Sequence, residues 1–304
     1  MKVTISGFYD EVNSNLDTQI ALIKELKESY MCPRNINGKN IADYTAEEFE
    51  NNILPILEKN AIKFSSIGSP IGKIDISDEE GFTKQKAQLT ELIKIAQMTK
   101  CKYIRVFSFF YGKKNPDDCF DMVVKKFGEF LSIAKGSGVK LMHENEKKIY
   151  GDIPERVIKL YNALKCEELT MCFDASNYVQ CSVDPIDALM SLKEYTEYYH
   201  IKDCSKYMVE VPVGIGEGQY RKIISVLKQD NYEGFFTLEP HTLKYSLLKM
   251  PVYLFPFMPL IMNNYYKAFR QIDKAMKVGF FKNISRKQVF IWQYNNIKKI
   301  ISEV

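Results

Sequence analysis

Seven short runs of β-branched and aromatic residues recur along this chain, and the distances between them restrict the fold more than any other feature. The runs are Val3–Ser6, Ile62–Ile67, Tyr103–Phe107, Val139–His143, Leu169–Asp174, Tyr198–Lys202 and Phe235–Glu239. Amphipathic stretches lie between them, among them Leu16–Tyr30, Thr83–Thr99, Asp118–Gly136 and Tyr220–Gln229. Strand followed by helix, repeated, means parallel strands joined by helical crossovers. The first gap between run starts is 59 residues and the others run from 29 to 41. A (β/α)8 barrel needs roughly 31 residues per unit. Closure therefore requires an eighth strand hidden in the first gap, near Ser29–Ile36, where Pro33 makes a poor strand. No GxGxxG turn follows the first run, which speaks against a doubly wound dinucleotide fold. The expected architecture is α/β: a (β/α)8 TIM barrel over residues 1–277, with a short helical extension over 278–304.

In such a barrel the chemistry sits where strands end and βα loops begin. Four successive runs end on polar groups: HENE with Glu144, FDASN with Asp174, HIKD with His200, and LEPH with Glu239. The intervals are 30, 26 and 39 residues, about one unit each, so the four groups stand at one height on neighbouring strands. A carboxylate behind apolar residues must be paired, protonated or bound to a cation. Three carboxylates and an imidazole suit one divalent metal ion of the Mn2+, Mg2+, Co2+ or Zn2+ kind. The other rim candidates, as substrate contacts, are Glu11, Ser66, Lys73, Arg105, His143, Asn145, Asn177 and His241, with a buried structural role equally open for His143 and His241. Lys73 and Arg105 are suited to a phosphate or carboxylate, or to a plain salt bridge. Gly214, Gly216 and Gly218 form a GxGxG that either turns backbone N–H groups to an anion or is an ordinary flexible loop.

HENEKKIYGD, FDASNYVQC, HIKD, the GxGxG and LEPH, with NGKN at Asn37–Asn40 and SSIGSPIGK at Ser65–Lys73, resemble the sugar phosphate isomerase/epimerase family, the xylose isomerase-like TIM barrels. The likeness runs from about Met1 to Ile272. It implies metal ligation by Glu144, Asp174, His200 and Glu239, and a small-molecule carbohydrate substrate. In the family's ketose epimerases the matching glutamates pass protons on opposite faces of the sugar. That role is chemically sensible here: a metal-stabilised enediolate relieves the unstable carbanion, one glutamate takes the proton and the other returns it. Lys202 is placed to stabilise the developing charge, or to pair with a carboxylate. Two positions depart from the 3-epimerase pattern, Asn177 in place of a histidine and Lys206 in place of an arginine. The expected activity is therefore a metal-dependent isomerase or epimerase of a sugar, sugar phosphate, sugar acid or polyol derivative. A dehydratase on the same site and a non-catalytic sugar-binding barrel are the alternatives.

Other classes fit less well. A multi-zinc endonuclease of the same superfamily needs many histidines, and this chain has three. A net charge of +4 on 42 basic and 38 acidic residues does not suit a duplex-binding groove, so no nucleic-acid partner is expected. The longest apolar run, Pro251–Met262, is shorter than the roughly 20 residues of a membrane span, and no membrane partner is expected. Seven cysteines without CxxC spacing, and an N-terminus that enters a strand directly, suggest reduced thiols in the cytoplasm. Asn263–Lys277 reads as the last barrel helix; beyond it, Phe290, Tyr294, Ile297 and Ile301 share one helical face, expected to cover the barrel's lower end or to form a homodimer contact.

Overall fold

The computed structural model describes residues 1–241, 243–255 and 257–304. Its frame is a ring of parallel strands: β1 (Lys2–Gly7), β2 (Tyr30–Met31), β3 (Lys63–Phe64), β4 (Tyr103–Val106), β5 (Lys140–Glu144), β6 (Leu169–Asp174), β7 (Thr196–Ile201) and β8 (Glu233–Leu238). Six of them form one sheet in the order β1-β8-β7-β6-β5-β4, and β2 pairs with β3. Three backbone hydrogen bonds close the ring. Cys32 donates to Gly7 at 3.1 Å, Ile67 to Tyr103 at 2.8 Å, and Arg105 to Ile67 at 2.9 Å. The expected eighth strand is thus β2. It is two residues long and gives way to Pro33, which has no N–H to offer a ladder. Helices follow the strands, including Leu16–Glu25, Glu79–Met98, Phe120–Ala134, Pro154–Leu164, Pro185–Leu192 and Tyr220–Gln229. The longest of these starts where the Asp78 side chain accepts the Gly81 N–H. All seven cysteines are free thiols.

Inside the ring, a polar layer lies beneath the rim. The Tyr198 hydroxyl donates to Ser65 Oγ at 2.8 Å and bonds with Thr237 Oγ1, and Ser66 Oγ donates to Tyr198 at 3.0 Å. At the lower end, Glu197 joins Lys140, Lys102 and Tyr103.

The C-terminal helices are arranged differently from the expected order. Helix Arg286–Glu303 belongs to the main core, through Phe290, Tyr294, Ile297 and Ile300. Phe290 packs on Tyr9 with ring centroids 5.0 Å apart, and Gln293 Nε2 donates to the Ile201 carbonyl at 2.7 Å. Tyr294 donates to Glu28 at 2.6 Å. This helix therefore fills the eighth position of the barrel wall. A boundary at residue 277 would cut through that core. Helices Leu243–Leu254 and Asn263–Met276 instead form a second core with Val209 and Val211, from the loop beyond β7. Both C-terminal segments are amphipathic, and periodicity cannot say which partner an apolar face meets.

Two outcomes follow. Phe290→Ala should lower unfolding free energy by about 3–5 kcal/mol in chemical denaturation. Phe281→Ala, on a side chain 73% exposed, should change it by less than about 0.5 kcal/mol. Burial pushes the Glu197 carboxyl up, but Lys140, Tyr103 and Lys102 outweigh it and hold it at about 2, below its ordinary 4.5. The unfolded chain then binds this proton first, so the stabilisation is present above pH 4.5 and is lost as pH falls towards 2. Glu197→Gln should flatten the acid limb of a stability–pH curve in that window; an unchanged slope would rule the ion-pair cluster out as its source.

Candidate metal centre and active site

The upper ends of β5 to β8 bring the expected quartet together. Glu144 ends β5, Asp174 ends β6, His200 lies in β7, and Glu239 follows β8. Register explains their common height: Asp174 is the ladder partner of His200, and Thr237 that of His200 on the other side. Ligand atoms of all four lie within 4.8 Å of one another, and all four residues are buried. His200 Nδ1 stands 2.9 Å from Glu144 Oε1 and 3.7 Å from Glu239 Oε2. Phe8 meets the imidazole edge-on at 5.2 Å and fixes its plane. Two cations balance the carboxylates. Arg105 Nη1 is 3.1 Å from Glu144 Oε2 and 3.8 Å from Glu239 Oε1. Lys202 Nζ is 3.1 Å from Asp174 Oδ2 and 3.3 Å from Glu239 Oε2.

Burial alone would raise the Glu144 carboxyl, but His200 and Arg105 hold it at about 2. Glu239 is likewise kept well below its ordinary value, against burial, by Lys202, His241 and His200. Burial disfavours a charged Lys202, yet Asp174 and Glu239 more than reverse this, so it stays an ammonium.

The remaining candidates divide into three groups. Glu11 and His241 are at the site: His241 Nδ1 is 3.5 Å from Glu11 Oε1, and its Nε2 is 3.7 Å from Glu239 Oε1. Asn145 and Asn177 act on the ligands. Asn145 Nδ2 donates to the Asp174 carbonyl at 3.0 Å, and its Oδ1 accepts the Asp174 N–H at 2.9 Å. The Asn177 N–H donates to Asp174 Oδ1 at 3.0 Å, and its side chain donates to Glu144 Oε1 at 3.4 Å. Arg105 is committed to Glu144 and to the Gly68 and Ser69 carbonyls, so it braces that carboxylate. Lys73 stands at the mouth, 2.9 Å from Glu146.

Two candidates are not brought to the site. His143 precedes Glu144 on β5, and successive strand residues face opposite ways. Its ring lies edge-on to Phe127 and its Nε2 meets Ser108 Oγ at 3.0 Å. Burial lowers its pKa to about 4, so it is neutral. Ser66 belongs to the layer beneath, with Tyr198 and Cys32. The GxGxG does serve an anion, and the anion is the chain's own. Gly214 and Gly216 donate to Asp203 Oδ2 at 2.9 Å each, and Gly218 to Oδ1 at 2.8 Å. A Cβ on Gly216 would come within 2.4 Å of that carboxylate.

Arg34 is a site residue that strand reading missed. It is 3.6 Å from Glu239, 3.8 Å from Glu11 and 3.0 Å from Asp10. Its signal was its place just beyond the weak strand at Pro33. A cavity of about 160 Å3 over the cluster is lined by Arg34, Lys73, Arg105, Glu144, Glu239 and His241, with others. A wider one of about 400 Å3 opens beside it and shares Arg34 and His241.

Ring and site define a (β/α)8 barrel with a buried acidic–histidine cluster at its C-terminal rim. The chain belongs to the xylose isomerase-like TIM barrel family, whose model matches residues 28–249. Among solved structures it is similar to an IolI protein with a bound zinc atom, at 14% identity, TM-score 0.71 and 99% coverage of both chains. D-psicose 3-epimerase with D-tagatose from Clostridium cellulolyticum H10 gives 13% identity and a TM-score of 0.68, covering 98% of this chain and 99% of that one. The probable 3-DHS dehydratase AsbF of Bacillus anthracis gives 16% and 0.64, covering 79% and 93%. A curated relative, the uncharacterized protein YihM of Escherichia coli (strain K12), is 24% identical over 137 residues, 45% of this chain. The match spans 40% of that protein's length.

The donor set fits a divalent ion, because three carboxylates crowd one imidazole where water cannot screen them. Glu144→Ala and Asp174→Ala should each cut bound metal, read by plasma mass spectrometry, to below about a tenth of the native content while circular dichroism is retained. Native metal content in both variants would mean that the quartet is not the ligand set.

Proposed function

We propose that this chain is a divalent-metal-dependent isomerase or epimerase acting on a small sugar, sugar phosphate, sugar acid or polyol derivative. The observation that carries this reading is the double placement of the two glutamates. Glu144 and Glu239 belong to the ligand cluster and also line the 160 Å3 cavity, whereas Asp174, His200 and Lys202 lie behind them. A substrate in that cavity would meet a carboxylate on either side. Both are held in the basic form, one by His200 and Arg105, the other by Lys202 and its neighbours. Such a pair can take a proton beside a carbonyl and return one to the opposite face.

The bound ion would supply Lewis-acid stabilisation of negative charge on the substrate's oxygens. The protein's own residues would do the rest. Glu144 abstracts, Glu239 delivers, and the roles exchange in the reverse direction. Lys202 sets the charge and position of Glu239 from behind it. Arg34 and His241 bind substrate at the cavity's outer wall. The named activities of the structural neighbours, sugar epimerases and a dehydratase, lie within this chemistry.

On whichever sugar derivative is turned over from a panel, Glu144→Gln and Glu239→Gln should each reduce kcat by about 10²–10⁴-fold. In deuterated water the product should gain deuterium at the reacting carbon and otherwise keep the substrate's mass. A product lighter by one water would replace the isomerase with a dehydratase on the same residues. Near-native turnover in both variants would refute the two-carboxylate mechanism.

A further inference from the structure

Between β8 and the wall helix, the chain builds a surface outside the barrel wall. Residues 243–282, which end before the wall helix, hold seven lysines and arginines against one acid, Asp273, a net charge of +6. The rest of the chain holds 35 basic and 37 acidic residues, net −2. The single acid does not reach the surface. Asp273 is 3% exposed, with Lys249 Nζ at 2.8 Å and the Tyr253 hydroxyl donating at 2.8 Å.

The charges are ordered. Helix Asn263–Met276 buries Ala268, Phe269 and Ile272. Lys267, Arg270 and Lys274, with Lys277 just past the helix end, follow at spacings of three, four and three, all exposed. Beside them is an apolar tip. Leu254, Phe255, Phe257, Leu260 and Ile261 are 53–78% exposed, so they project outward and do not line a groove. The Arg270 guanidinium lies 5.5 Å over the Phe280 ring, and Phe280 stacks on Tyr253 at 4.6 Å, next to Leu254. The apolar tip ends at Ile261, directly before the helix that carries the stripe, so the two adjoin one another.

We propose that this face docks on an anionic membrane surface. The apolar tip enters the headgroup boundary and the lysine–arginine stripe lies against lipid phosphates. The contact is peripheral, since no described helix is long and apolar enough to cross a membrane. Charge complementarity selects this occupant: a second copy meeting through the same face would set one +6 segment against another. Leu243 and Lys244 also line the wider cavity, so the docked face lies beside the mouth of the site.

The test is co-sedimentation of the full chain with vesicles of phosphatidylglycerol and phosphatidylcholine, or of phosphatidylcholine alone. Binding should be at least about tenfold stronger to the anionic vesicles and should fall about tenfold in high salt. A Phe255→Ser, Phe257→Ser, Leu260→Ser triple variant should lose about tenfold in affinity. So should a Lys274→Glu, Lys277→Glu, Lys282→Glu variant. Both sets lie at exposed positions, and an unchanged thermal unfolding curve would confirm that the fold is kept. Absence of binding to anionic vesicles overturns the proposal, as does undiminished binding by the apolar variant. A native dimer in sedimentation equilibrium that the apolar variant dissociates would also overturn it, assigning the face to a second copy.

Discussion

Burial of three carboxylates at one point is the constraint on which the rest of this structure depends. Glu144, Asp174 and Glu239 are each at most 4% exposed, and an uncompensated charge there would cost several kcal/mol. The compensation comes from different strands. Arg105 arrives from β4 and Lys202 from just beyond β7, each touching two of the anions or nearly so. Neither cation is free to move. Arg105 is bound to the Gly68 and Ser69 carbonyls, and Phe8 and Phe107 each lie 5.0 Å from its guanidinium. The cluster is thus braced from several strands at once.

The supporting shell is built from short polar links between neighbouring strand ends. Asn145 stitches β5 to β6 by bonding both the N–H and the carbonyl of Asp174. Asn177 connects Asp174 to Glu144, so two members of the quartet share one hydrogen-bond partner. Its amide fills the place where the sugar 3-epimerases of the resemblance have an imidazole. Asp203 anchors the loop beyond β7 by gathering the N–H groups of Gly214, Gly216 and Gly218. Glycine is required at 216 because any Cβ there would collide with that carboxylate.

Where sequence reading and structure part, the reasons are geometric. His143 and Glu144 are adjacent letters but face opposite sides of β5, so only one can belong to the site. Ser66 stands one layer below the rim, among hydroxyls that the barrel interior pairs together. Arg34 went unread because Pro33 truncates β2 to two residues, leaving no strong strand end to inspect. The spacing points to Asn263–Lys277 as the last barrel helix, yet that stretch packs with Val209 and Val211 and the wall position falls to Arg286–Glu303.

The sequence by itself determined the barrel and which four polar groups meet at its rim. Both rest on spacing: a repeat near one βα unit places every strand end at the same height, and polar residues behind apolar runs mark that height. Tertiary structure alone decided which cations neutralise the quartet and that the glycine loop grips Asp203. It alone decided that the C-terminal helix closes the wall while its predecessors expose a basic, apolar face. These depend on contacts between residues such as Arg34 and Glu239, or Phe290 and Tyr9, that lie more than two hundred positions apart. No local period encodes such pairs; only the closed ring brings them together.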